Sequence, residues 1–320
     1  MKLLILDDFD NFPELASKIK EIKKDLEIIY VFNKKGELDK SLLNKHLPSS
    51  EIIIVGKFNK EMLSKSRNLQ WLHSTSAGVD KLLFPELIKS NVLLTNSRGI
   101  HPIPIAEHVF AAILCFQRRF KEHILNQERK QWVYKRSEEL YGKTLCIIGV
   151  GNIGKRIAFL AKAFGCKTIG IKRSLEKIKH LDEIYSIKDL NKAIPKADYI
   201  ILCLPSTSKT KNIISEPQLR LMKSSAILIN IGRGSAINDE ALIHALKSKQ
   251  IAGAALDVFK EEPLPSTHPY YSLDKIIITP HHSGSTLEYD KRSVDIFCNN
   301  LRAFLNKKPM PTLVNKKEGY

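Results

Sequence analysis

Apolar residues in this chain fall into short unbroken runs, set between longer stretches in which they recur every three or four positions. Runs over 3–6, 28–32, 52–55, 71–73 and 92–94 predict five strands in the first hundred residues, and the spacing over 12–22 predicts a helix between the first two. Unbroken apolar runs mark strands covered on both faces, so the sheet they form is expected to be parallel, with helices on each side. The alternation repeats further on. Strands are predicted over 145–148, 167–171, 199–204, 226–230, 252–258 and 276–279, with helices over 156–164 and 239–246. The fold class is therefore α/β, with two doubly wound parallel-sheet domains.

Three segments break the alternation. Residues 105–116, IAEHVFAAILCF, are apolar on nearly every face, so a helix here is expected to pack between domains or against a second copy of the chain. Residues 132–141 are expected to form an irregular connection. Ser285-Thr286-Leu287-Glu288 reads as a capping box opening a long helix whose Val294, Phe297, Leu301 and Phe304 share one stripe. That helix should return the chain to the first domain. The expected division is residues 1–99 with 286–320, and 100–285 inserted between them.

The stretch 144–174, TLCIIGVGNIGKRIAFLAKAFGCKTIGIKRS, organises the inserted part. It reads as strand, tight turn, helix and strand, with Gly149, Gly151 and Gly154 at the spacing of a dinucleotide-binding turn. In such a turn the first glycine permits the bend, the second lets backbone approach a pyrophosphate, and the third lets the helix pack on the strand. Amides at the start of the following helix then hold the anion, and Asn152 and Ile153 of the turn are expected cofactor contacts. Roughly 20 residues beyond the glycines, an acid at the end of the second strand commonly bonds the ribose 2′-hydroxyl of NAD. This chain has Lys172-Arg173-Ser174 there, two cations and a hydroxyl suited to a 2′-phosphate. NADP(H) is the favoured cofactor, with NAD(H) as the alternative.

Residues able to carry chemistry follow the later strands. Ile231, expected against the cofactor, leads into Gly232-Arg233-Gly234, where a planar fork of donors free of neighbouring bulk suits a carboxylate and a carbonyl oxygen. Glu262 lies in Lys260-Glu261-Glu262-Pro263 and His281 in Pro280-His281-His282-Ser283-Gly284. An imidazole beside a carboxylate holds its proton closer to neutral pH and can donate it to a forming alkoxide. Each residue alone also has a plain reading: a surface ion-pair partner, a solvated loop acid, a packing histidine. Their placement after successive strands of one sheet favours the chemical one. In the first domain the small-residue loop 74–80, STSAGVD, is either a simple turn or a set of backbone amides aimed at a ligand.

Composition narrows the picture further. With 43% hydrophobic and 27% charged residues, the 320-residue chain reads as globular, with no apolar stretch long enough to span a bilayer. The opening MKLLILDDFD is too short in its apolar part for a signal peptide, so a cytoplasmic location is expected. Five scattered cysteines without a CxxC read as core thiols, and no metal site is expected. The excess of 51 basic over 34 acidic residues raises the question of a polyanion partner. The lysines, such as Lys18, Lys20, Lys23, Lys24, Lys34, Lys35, Lys307, Lys308, Lys316 and Lys317, are scattered, and no nucleic-acid-binding motif accompanies them. A specific nucleic-acid or membrane partner is not expected.

Taken in order, STSAGVD at 74–80, AEH at 106–108, GKTLCIIGVGNIG at 142–154, NIGRGSAINDEAL at 230–242, AALDVFKEEPLP at 254–265 and ITPHHSG at 278–284 resemble the D-isomer-specific 2-hydroxyacid dehydrogenases over nearly the whole chain. The resemblance implies a Rossmann cofactor domain inserted in a flavodoxin-like substrate domain, and a homodimer. It implies that Arg233 holds the substrate carboxylate and carbonyl, that His281 is the acid/base, and that Glu262 is its partner. It further implies that the Ala77 and Gly78 amides complete the carboxylate site and that Asp257 bonds the nicotinamide carboxamide. Formate-oxidising relatives have glutamine where this chain has Glu262, which argues against that activity. The resemblance points to reduction of a small 2-keto acid of the glyoxylate or hydroxypyruvate kind, with 3-phosphoglycerate or D-lactate dehydrogenase activity as alternatives. A dinucleotide-sensing interaction protein, like the corepressors that resemble this family, is the reading from another class.

Overall fold

The computed structural model describes residues 1–9, 12–33 and 36–318. Lys34, Lys35 and Tyr320 lie outside the described residues. The chain divides into two compact units, Met1–Ile100 with Thr286–Tyr320, and His101–Ser285. In chain order the first unit begins with β1 (Lys2–Leu6), α1 (Phe12–Ile22), β2 (Glu27–Tyr30), α2 (Lys40–His46), β3 (Ile52–Val55), α3 (Lys60–Lys65), β4 (Trp71–Ser74), α4 (Pro85–Lys89) and β5 (Leu93–Asn96). The second unit runs through α5 (Pro102–Gln117), α6 (Phe120–Glu128), β6 (Thr144–Ile148), α7 (Asn152–Ala163), β7 (Lys167–Lys172), β8 (Glu183–Ser186), α8 (Leu190–Ala193), β9 (Tyr199–Leu202), α9 (Glu216–Leu221), β10 (Ile227–Asn230), α10 (Asp239–Lys247), β11 (Gly253–Leu256) and β12 (Ile276–Ile278). Helix α11 (Tyr289–Leu305) then belongs to the first unit again.

The first unit holds a five-stranded sheet in the order β2-β1-β3-β4-β5, every pairing parallel. All four residues of β3, Ile-Ile-Ile-Val, are buried, as a central strand covered on both faces requires, whereas β2 at the edge is only half-buried. The stripe of α11 lies where its spacing predicts, with Val294, Phe297 and Leu301 buried and the Phe297 ring stacked on Trp71 at 4.9 Å. Trp71 and His73 are paired within this core. The Trp71 indole donates to Thr95 Oγ1 at 2.8 Å, and His73 Nδ1 shares a 2.7 Å hydrogen bond with the same hydroxyl. Burial holds the His73 imidazole neutral, its pKa lowered to about 3.

One feature of α11 differs from expectation. The helix starts at Tyr289, with Glu288 at its N-cap making no side-chain capping bond, so Ser285 does not open it. A reciprocal capping box is instead formed by Ser215 with Gln218, at the start of α9.

The second unit holds seven parallel strands in the order β12-β11-β10-β9-β6-β7-β8. Strand β8 (EIYS) is absent from the apolar pattern because it is a half-exposed edge strand with no continuous run. Helix α7 begins at Asn152, immediately after the glycine turn, four residues before the predicted start. Helix α5 is not apolar all round in its surroundings. Ile105, Ala106, Val109, Phe110, Ala112 and Ile113 join the core of their own unit, while Ile103, Glu107 and Ala111 are exposed. Among the described residues, no helix is long and apolar enough to cross a membrane, and no group of three or more His, Cys, Asp or Glu side chains could hold a metal ion. All five cysteines are free thiols.

Candidate functional site

In a doubly wound sheet the ligand side is the edge at the carboxyl ends of the strands, where the order reverses. In the second unit this reversal lies between β6 and β9, and the glycine turn follows β6. Gly149 has φ +100°, and a Cβ there would stand 2.6 Å from the Cys203 carbonyl oxygen. A Cβ at Gly154 would stand 2.6 Å from the Gly149 carbonyl oxygen, so the turn and the first coil of α7 can approach only without side chains. At Gly151 a Cβ would meet nothing within 4 Å. The open side of Gly151 adjoins the α7 N-terminus, whose first turn, starting with Asn152 and Ile153, has no acidic residue. An open backbone approach beside unopposed helix amides fits the pyrophosphate of a dinucleotide.

At the end of β7 the structure amends the expectation of a purely cationic turn. Lys172 is the last strand residue, and its Nζ donates to Glu176 Oε1 at 2.5 Å. Arg173 and Ser174 follow in the bend between them.

Three further loops on this edge carry the remaining residues. After β10, Ile231 is buried, and the Gly232 amide donates to Asn230 Oδ1 at 3.1 Å. Arg233 then presents its guanidinium, with Nη1 donating to the Gly232 carbonyl at 2.8 Å and the Asn230 side chain donating to the Arg233 carbonyl at 3.0 Å. Gly234 lies so close to the next loop that a Cβ there would be 2.0 Å from the Phe259 carbonyl carbon. Buried Asn230 and the two flanking glycines therefore fix the backbone that carries the arginine.

After β11, Asp257 is 1% exposed and accepts from Thr279 Oγ1 at 2.6 Å and from the His282 and Ser283 amides at 3.0 Å each. Burial alone pushes its carboxyl up, but the Ser283, Thr279 and His282 donors together bring it below the usual range. It ties the loop after β12 to the end of β11. His281 sits in that loop at φ +51°, and its Nδ1 meets Glu262 Oε2 at 2.7 Å. Glu262 Oε1 accepts the Phe259 amide at 2.9 Å. Burial raises the Glu262 carboxyl, yet the hydrogen bond from His281, the Phe259 amide and the charges of His281 and Arg233 hold it below the ordinary carboxylate range. The structure thus joins Glu262 to His281 directly and brings the Arg233 charge within reach of Glu262.

His101, at the start of α5, was not singled out by the motifs. It packs against Gly284, where a Cβ would stand 2.3 Å from its Cδ2. Burial, and then the charges of Arg233 and His281, lower its pKa, so a neutral imidazole borders the pair. His108 supports the same region, sharing a 3.2 Å hydrogen bond between Nε2 and Thr279 Oγ1. For His108 the sequence signal was the AEH motif at 106–108, while His101, just before α5, carried no signal that connects it to residues about 180 positions away.

The first unit has its own loop at the equivalent edge. After β4, the Ala77 carbonyl accepts the Asn96 side chain at 2.6 Å, and the Thr75 carbonyl accepts the Tyr289 hydroxyl at 2.9 Å. Ala77 is half-buried and Gly78 exposed. The loop is anchored on both flanks, leaving its small residues at the edge.

Comparison with known proteins agrees with this geometry. Residues 110–283 match the family model described as D-isomer specific 2-hydroxyacid dehydrogenase, NAD binding domain. The D-3-phosphoglycerate dehydrogenase of Methanocaldococcus jannaschii is 32% identical over 98% of this chain, which spans 59% of that relative's length. A glyoxylate reductase of Thermofilum pendens is 33% identical over 273 residues, covering 83% of this chain and 80% of the relative. The crystal structure of a D-isomer specific 2-hydroxyacid dehydrogenase family protein from Aeromonas salmonicida superposes with a TM-score of 0.88 at 32% identity, covering 98% of this chain and 99% of the other. With the glycine turn, the parallel sheet and the Glu262–His281 pair in place, the chain belongs to the D-isomer-specific 2-hydroxyacid dehydrogenase family.

Proposed function

We propose that the protein is a nicotinamide-dependent reductase of small 2-keto acids of the glyoxylate or hydroxypyruvate kind. The observation that carries this reading is the Glu262–His281 hydrogen bond of 2.7 Å on the sheet edge that also carries Arg233. The second unit serves as the dinucleotide unit and the first as the substrate unit, with Ala77 and Gly78 amides toward the substrate carboxylate. When bound, the reduced nicotinamide supplies the hydride. The chain's residues do the rest. Arg233 binds the carboxylate and keto oxygen together and polarises the carbonyl. With Nδ1 committed to Glu262, His281 has Nε2 left to donate a proton to the oxygen as it becomes a hydroxyl, and to recover it in the reverse direction. Asp257 has three of a carboxylate's roughly four acceptor sites filled by its own loop, which leaves capacity for the carboxamide role.

The decisive assay is a panel of 2-keto acids with NADPH and NADH. Turnover of a short 2-keto acid, abolished in Arg233→Ala, is expected. No member turned over above that control would favour the dinucleotide-sensing reading instead. Lys172, Arg173 and Ser174 support NADP(H) as the preferred cofactor. A lower KM for NADPH than for NADH, narrowed or reversed by Lys172→Asp with Arg173→Ala, is the expected result, and equal or better use of NADH by the unmodified protein contradicts it.

A homodimer in the cytoplasm completes the proposal. Phe120, Ile124, Leu125, Trp132, Val133 and Tyr134 are exposed along α6 and the segment after it, a concentration of apolar surface that suits a subunit contact. A monomer mass by light scattering at micromolar concentration contradicts it.

A further inference from the structure

The turn after β7 contains an acid four residues beyond the strand end. Lys172 keeps only 16% of its side chain exposed, and its Nζ is held at 2.5 Å by Glu176, whose own side chain is 68% exposed on irregular backbone. The hydrogen bond from Lys172 is the first cause that holds the Glu176 carboxyl below its ordinary range, followed by the charge of Lys172, with Lys155 of α7 and the Ser174 hydroxyl adding to it. Two of the groups suited to a 2′-phosphate, Lys172 and Ser174, are thus already facing an anion supplied by the chain itself.

A carboxylate in this position can act in two opposite ways. It can accept a hydrogen bond from a ribose 2′-hydroxyl, the task for which the end of β7 has no acid of its own. It also competes with a 2′-phosphate for the same ammonium and hydroxyl, and repels it when both are near. An ion pair whose acid is exposed on irregular backbone costs little to open at that end, so a phosphate of higher charge can displace the carboxylate. The geometry points to Glu176 as the residue that sets the choice between phosphorylated and unphosphorylated dinucleotide. Folded onto Lys172, it serves the ribose of NAD(H); turned outward, it leaves Lys172 and Ser174 to the phosphate of NADP(H). The inference rests on the proposed reading that residues 172–174 face the adenosine ribose.

The test is calorimetric titration of the intact protein with adenosine 2′,5′-bisphosphate and with 5′-AMP, which reads binding without turnover. In Glu176→Gln, which keeps the shape and an acceptor, the bisphosphate should bind roughly threefold to tenfold more tightly and 5′-AMP should change little. In Glu176→Ala the bisphosphate should gain similarly, while 5′-AMP weakens by about threefold as the acceptor is lost. If unmodified protein prefers the bisphosphate and both variants keep its Kd ratio to 5′-AMP within about twofold, Glu176 is a bystander and only this inference falls. If unmodified protein and Lys172→Asp both fail to distinguish the two ligands, the turn does not face the ribose, and the underlying reading falls with it.

Discussion

At the carboxyl edge of the five-stranded sheet, Asp7 accepts from the Thr75 hydroxyl, with the like charges of Asp290 and Asp8 nearby. At the same edge of the seven-stranded sheet, Asp257 and Glu262 each accept from backbone amides and from side chains of the loop after β12. Burial pushes all three carboxyls up. For Asp7 it outweighs the Thr75 bond and the Asp8 amide, and the carboxyl ends above its usual range. For Asp257 and Glu262 the donors win and both end below it. Two sheets of one architecture thus treat the same functional group in opposite ways, because loop donors, not strand order, set the balance. At the second edge the lowered Glu262 carboxylate stands beside an imidazole and within the charge of a guanidinium, the arrangement on which the proposed proton transfer rests.

The strongest way to break this contrast is at His281. His281→Gln should lower kcat by about 10²–10⁴ with a much smaller change in KM, measured by steady-state kinetics on the best 2-keto acid. Unchanged kcat would remove the second edge from the chemistry. The next effect belongs to the core under the first edge. Native His73 stays neutral down to about pH 3, while the unfolded chain takes up that proton near the ordinary value of 6.5. Between those values the unfolded state binds the extra proton, so stability is lost as pH falls, by roughly 3 kcal/mol at pH 4. Thermal midpoints of His73→Gln should therefore depend less on pH between 6.5 and 4 than those of unmodified protein; parallel curves would show that His73 is not the cause.

Glu262→Gln keeps the packing but removes the charge that orients His281, and a loss of about 10- to 100-fold in kcat is expected at neutral pH. In unmodified protein the carboxylate is fully charged above the ordinary glutamate range and is lost as pH falls through its lowered native value. The pH profile of kcat should accordingly lose its most acidic limb in the variant. Retention of both rate and limb would make Glu262 a scaffold residue. The smallest effect is expected on the first edge. Because Asp7 is held above its normal range, its charge works against folding at neutral pH, and Asp7→Asn should raise the thermal midpoint by about 2 °C. A clear fall would place the Asp7 charge among the groups this edge needs.

How far each feature could be read in advance follows from how local its cause is. The central strands were legible because burial on both faces leaves an unbroken apolar run, as in β3, β9 and β10. The α11 stripe and the glycine turn were legible for the same reason: helical spacing and the absence of a Cβ are properties of one short segment. Strand β8 was not legible, since an edge strand buries little and carries no run. Nor was the start of α11. Ser285 has the residue types of a capping box, but its amide donates to the His282 carbonyl at 2.9 Å, in the turn that ends the loop after β12.

The sequence by itself determined the α/β alternation and the three glycines, and offered Arg233, Glu262 and His281 as candidates, because each of these readings rests on residue type in a short local motif. Tertiary structure decided that Glu262 meets His281 through Nδ1, that Asp257 clamps the loop carrying His281, that His101 lies against Gly284, and that Lys172 is claimed by Glu176. Those pairings are set by where separate loops end on a shared sheet edge. Periodicity reports how one segment buries its own side chains, and carries no information about which distant segment supplies the donor that fixes a charge.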